Sequence, residues 1–143
     1  MIFMEGLLAW HRSCNAQRMA RLRTVEYRQS KGVSIMAIHH AAPAEVFEVR
    51  PLGATLRESK TSTLVKTDTL EVIRIVLPAG KQLPPHQVEG EITVQCLEGR
   101  MAFDVEGTEH ELSQGQMLYL SGGATHALRG IEDSSVLVTI LLR

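Results

Sequence analysis

A chain of 143 residues with 44% hydrophobic and 22% charged side chains can bury one core of ordinary size and is too short for two. Its net charge of −1 offers no field for nucleic acid or an anionic membrane, and no apolar run approaches the roughly 18 residues of a membrane span. Cys14 and Cys96 are too few for a disulfide scaffold, and "MIFMEGLLAW" lacks the basic lead and small-residue cleavage site of a secretory signal, so a reducing cytoplasm is expected.

The first segment in chain order, residues 1–35, is basic. Arg12, Arg18, Arg21, Arg23, Arg28 and Lys31 face Glu5 and Glu26, a local charge of +4 against −5 for residues 36–143. Good helix formers run from about Gly6 to Gln29 without proline. The segment fits three descriptions: a basic amphipathic helix, an Arg-rich transit peptide, or translated sequence upstream of a true start at Met36. The third is preferred, because Lys31-Gly32-Val33 is encodable by a purine-rich ribosome-binding sequence shortly before Met36. If the segment is made, a helical or disordered extension is expected.

From Met36 the pattern has period two, and residues 36–143 are expected to form a single β domain. Short, β-branched stretches fall at 45–50, 62–67, 70–77, 91–97, 100–105, 110–113, 116–120, 126–131 and 134–142. Turn residues separate them, among them Pro78-Ala79-Gly80, Glu98-Gly99, Glu106-Gly107, Gln114-Gly115 and Ser121-Gly122-Gly123. No helical period is seen after Met36. Many short strands at this spacing predict an all-β antiparallel sandwich or barrel.

Glycines and histidines then fall into a pattern. Gly80 is followed by five residues and His86, and Gly99 closes the next strand within "CLEG". Gly115 is followed by five residues and Ser121, then Gly123 and His126. This arrangement resembles the two motifs of the cupin superfamily, over about Val46 to Leu142. The resemblance implies a double-stranded β-helix (jelly-roll) barrel. Ser121 replaces the family's proline and Gly130 its asparagine. Each framework glycine is expected at a tight turn with positive φ.

The resemblance also implies a metal site of three histidines and one Glu or Gln, for Fe, Mn, Ni, Cu or Zn. His86 and His126 match the first and last ligands. Val88 stands in place of the second histidine and Ile92 in place of the glutamate, and neither can ligate. A β-bulge after Gly90 would turn Glu91 inward, and the face carrying Thr93 and Gln95 would turn with it. Glu91 or Gln95 is then the third-ligand candidate. Otherwise Ile92 and Val94 line the barrel, with Met101, Phe103, Met117 and Tyr119. His86 and His126 are expected to face one cavity. His110, in a hairpin, and His39 and His40, in the lead-in, are expected to carry no function, and Cys96 reads as a small buried hydrophobe.

Three functions follow as alternatives: a small-molecule-binding cupin whose metal site is incomplete or absent; an enzyme, either a metal-dependent dioxygenase or a metal-free isomerase with a histidine base; or a non-catalytic dimeric module. The partners expected are a small-molecule ligand and a second copy of the chain, since the apolar terminal stretch 134–142 is long for an unprotected edge. No nucleic-acid partner is expected, and aromatic content of 4% argues against a base-stacking platform.

Overall fold

Alternation is the rule that builds this domain. Strand β4, Ile92–Glu98, buries Ile92, Val94 and Cys96 and leaves Thr93, Gln95 and Leu97 half-buried on the other face. In the computed structural model, which describes residues 39–142, eight further strands accompany it. They are β1 (Ser62–Lys66), β2 (Leu70–Leu77), β3 (Gln82–His86), β5 (Arg100–Val105), β6 (Thr108–Ser113), β7 (Met117–Leu120), β8 (His126–Gly130) and β9 (Ser134–Leu141). The expectations for residues 1–35 lie outside the described residues. No helix among the described residues is long and apolar enough to cross a membrane.

The strands form two antiparallel sheets, ordered β1-β2-β9-β4-β7 and β3-β8-β5-β6. Their facing sides meet in an apolar core of Leu77, Ile92, Val94, Cys96, Met101 and Phe103 with residues of β6–β9. Phe103, Met101 and Leu77 have no exposed surface, so side chains fill the interior at that level. Gly80, Gly99, Gly115 and Gly123 all have positive φ, between +70° and +85°. Gly99 is doubly constrained, because a Cβ there would lie 2.1 Å from the Asp133 carbonyl oxygen.

Three elements differ from the sequence expectation. Stretch 45–50 alternates as a strand should but forms none. The Glu48 and Arg50 carbonyls accept hydrogen bonds from the Arg74 guanidinium instead of from a neighbouring strand, and Val46 is 92% exposed. Gly53–Glu58 form a short 3-10 helix, a single buried residue (Leu56) anchoring it. Strand β3 carries Pro84 and Pro85, which usually argue against a strand. It survives because it is the edge of its sheet, and its pairing with β8 slips between Leu83 and His86, where the prolines have no N–H to donate.

Candidate functional site: a histidine pair

His86 ends β3 and His126 begins β8, and the two are direct partners across the antiparallel ladder. Cross-strand partners project from the same face, so the imidazoles are forced together, with ring centroids 4.3 Å apart and planes tilted by 59°. Each is anchored alike. Nδ1 of His86 donates to the Pro84 carbonyl oxygen and Nδ1 of His126 to the Ala124 carbonyl oxygen, both at 2.9 Å. A carbonyl oxygen only accepts, so both Nδ1 atoms carry hydrogen and the lone pair of each neutral ring lies on Nε2. The result is two adjacent Nε2 acceptors of fixed tautomer.

The pair is asymmetric in its surroundings. His126 is 3% exposed and stacks on Phe103, with centroids 5.4 Å apart and planes within 11°. Its β5 ladder partner is Val105. Burial pushes the His126 pKa down, the Ala124 carbonyl opposes this, and a neighbouring His86 charge adds to the depression. His86 is half-buried and reaches the rim. A tie between the two histidine-bearing segments runs beside it: the Gln87 amide donates to the Thr125 hydroxyl at 2.8 Å. Gln87 and Thr125 carry no motif, and adjacency to the two histidines is the one signal that points to them.

The other candidates are distributed by the pleat. Ile92 and Val94 face the core, Ile92 in a row with Leu120 and Ile140. Thr93 and Gln95, named as cavity residues, lie on the opposite face. There they pair with Tyr119 and Thr139, and with Met117 and Leu137. The bulge that would have turned them inward is absent at Gly90–Ile92; β4 bulges instead between Cys96 and Glu98. Glu91 accepts a hydrogen bond from the Tyr119 hydroxyl at 2.7 Å, on that same outer side. Met117 and Tyr119, expected to line the barrel, are instead 59% and 61% exposed, because their phase along β7 is set by the outward residues of β4. Met101 and Phe103 are buried in the core. His110 is exposed in the β5–β6 hairpin, and His39 and His40 are exposed in the lead-in. The Cys96 thiol is buried and donates to the Glu98 carbonyl; burial pushes its pKa up.

A divalent ion does not fit this arrangement in the usual way. Protein sites for such ions use three or more ligands, and among the described residues no cluster of three His, Cys, Asp or Glu side chains is positioned to hold one. Val88 packs against the apolar core where the second histidine would stand. Two open concavities, of about 360 and 240 Å³, lie elsewhere: one under the lead-in at Arg74, one along Gln82–Pro85 and Ala127–Arg129.

Sequence missed a second polar centre, on the outer face of the larger sheet. Glu98 accepts hydrogen bonds from the Leu52 and Gly53 amides at 2.8 and 2.9 Å and from the Ser135 hydroxyl at 2.5 Å. Burial alone would raise its pKa, but these donors and the Arg74 charge outweigh it and hold the carboxyl below its usual range. In sequence, Glu98 is merely part of a turn.

Comparison with known proteins agrees with this architecture. Residues 73–141 match the family described as Cupin domain. The uncharacterized protein MJ0764 of Methanocaldococcus jannaschii is 31% identical over 68 residues, 45% of this chain and 59% of that protein. Its crystal structure, an RmlC-like cupin with a double-stranded β-helix fold, aligns with a TM-score of 0.58 at 21% identity, over 71% of this chain and 94% of that one. A conserved Streptococcus pyogenes protein of unknown function, SPY1581, aligns with a TM-score of 0.59 at 20% identity, over 77% of this chain and 98% of that one. A predicted oxalate decarboxylase from Thermotoga maritima aligns with a TM-score of 0.53 at 22% identity, over 58% and 79%. At these structural identities the likeness is one of fold. The period-two sheets, the positive-φ glycines at the motif positions and the family match identify residues 73–141 as a cupin domain with a double-stranded β-helix fold.

Proposed function

We propose that this protein is a small-molecule-binding cupin whose recognition group is the His86–His126 pair, acting without a complete metal site. The observation that carries it is the shared tautomer: each Nδ1 is committed to a carbonyl, which leaves two Nε2 acceptors side by side. The ligand class that fits is a small molecule offering hydrogen-bond donors to the imidazoles and an apolar flank to the surrounding side chains.

The test is direct. The full chain, purified without a chelating tag, should hold far less than one metal ion per chain, and a chelator should leave its melting temperature unchanged. Ligands found by thermal shift should lose their effect in His86→Ala and His126→Ala. Near-stoichiometric metal, lost in both variants, would sink this reading and favour the dioxygenase alternative.

A second reading, metal-free proton transfer of the isomerase kind, is favoured by one feature. Burial lowers the His126 pKa and so leaves the ring unprotonated and able to accept a proton at neutral pH, beside a second imidazole. Its signature is a pH–rate profile whose limb moves in His126→Gln.

We also propose a cytoplasmic homodimer, joined through the outer face of the larger sheet, where Met117, Tyr119 and Leu141 are exposed. Sedimentation at micromolar concentration should give twice the chain mass, and Met117→Lys should lower it.

A further inference from the structure

Arg74 is a buried cation that makes two hydrogen bonds with a guanidinium of five N–H donors. It lies on the outer face of β2, across from Ser62 and Leu137, and is 8% exposed. Both of its hydrogen bonds run through Nη2, to the Glu48 and Arg50 carbonyl oxygens at 3.2 and 3.1 Å. Nε has no partner. Glu98 is near enough for Arg74 to depress its pKa, but each Glu98 oxygen is already taken by an amide, and one by Ser135 as well. Arg74 donates only to the two carbonyls, so Glu98 offers it charge compensation without a hydrogen bond. A guanidinium presents five N–H donors in a planar fork that matches an oxyanion, and leaving buried donors unmet is unfavourable.

The space beside it is open. A concavity of about 360 Å³ is lined by Glu48, Arg50, Pro51, Leu52, Thr55 and Arg74. Arg50, largely exposed, is held by a surface ion pair with Glu48, an interaction weak enough to rearrange. Two arginines and one glutamate line the concavity, and Glu98 beside Arg74 brings the local charge to balance, so the attraction for an oxyanion comes from the unmet guanidinium N–H donors and not from net charge. The two carbonyl hydrogen bonds fix the Arg74 plane in advance, so a ligand loses little in ordering it.

We propose that this concavity binds a small oxyanion, a carboxylate or a phosphate group, between the guanidinium groups of Arg74 and Arg50. The site is separate from the histidine pair, and its partner is a free metabolite-sized anion or the anionic end of a larger molecule.

The experiment is a titration of the full chain followed by nitrogen–proton correlation spectra, with inorganic phosphate, acetate and chloride as probes at matched ionic strength. Phosphate or acetate should shift the Arg74 Nε–H and Thr55 amide signals saturably, and chloride should not. Arg50→Gln should weaken that binding by about threefold, the scale of one exposed charge. Thr55→Glu, which sets a carboxylate at the exposed mouth, should weaken it at least about tenfold, or 1.4 kcal/mol. Arg74→Lys should abolish it; should that variant fail to fold, the two rim variants still decide. Shifts that track ionic strength alike in all three salts would overturn the proposal, as would an affinity unchanged in both rim variants.

Discussion

The inner end of the barrel and the outer face of the larger sheet treat polar groups in opposite ways. At the inner end two imidazoles pack together, His126 against Phe103 and Val105, with their Nδ1 atoms tied to carbonyls and, among the described residues, no carboxylate completing a cluster with them. On the outer face a carboxylate, Glu98, is buried with three hydrogen-bond donors and an arginine beside it. The difference begins in one strand. Where β4 runs in unbroken register, its inward positions are Ile92 and Val94; where it bulges, Glu98 is delivered outward against Ser135. A one-residue change of phase decides which side of a sheet receives a charge. Here it keeps the inward positions of β4 apolar and gives the carboxylate a structural task, holding the first amides of the 3-10 helix.

The largest effect expected is on the inner side. Phe103→Ala removes a fully buried ring and the surface on which His126 stacks, and should destabilise the domain by about 4 kcal/mol. A fall in the denaturant midpoint at unchanged m-value would register it. On the outer side, Glu98→Ala strips partners from Leu52, Gly53 and Ser135 and leaves the Arg74 charge without its neighbour. It should lower stability by about 3 kcal/mol, with Glu98→Gln recovering part of the loss. If Glu98→Ala cost as little as a typical surface change, within about 0.5 kcal/mol, the contrast between the two sides would collapse.

A smaller, pH-dependent effect separates the sides further. His126 is depressed in the folded state, so below its ordinary value of about 6.5 the unfolded chain binds more protons than the folded one. Stability should therefore fall as pH drops through about 6.5 and go on falling toward the folded-state pKa. Glu98 acts with the same sign in a lower window: its depressed pKa adds stability that is present above the ordinary carboxylate range and is lost as pH falls through it. Unfolding curves of the wild type and His126→Gln between pH 7 and 5.5 isolate the histidine contribution, whose slope should vanish in the variant. The smallest effect belongs to Thr93→Val and Gln95→Leu. Both residues lie across the sheet from the histidines, so stability should move by less than about 0.5 kcal/mol and the imidazole resonances should stay in place. A displaced His126 signal in either variant would mean that these side chains reach the pair after all.

Much of this molecule could be read without coordinates. Period-two alternation and regularly spaced turns prescribe eight of the nine strands among the described residues, because strand side chains have a period of two whatever their neighbours are. Four glycines at motif positions were expected at positive φ, and the backbone requires it of each. The adjacency of His86 and His126 rests on their offsets from those glycines.

What tertiary structure alone decided is everything that depends on a partner distant in sequence. Prolines disqualify Gln82–His86 as an interior strand, and only its place at a sheet edge permits it. Stretch 45–50 has a strand's pattern, yet its carbonyls go to Arg74, a residue 24 positions beyond Arg50. The outward side of Thr93 and Gln95 and the burial of Glu98 turn on where a single bulge falls in β4. That choice is made by the packing of β9 and β7 against it, and local sequence does not encode it.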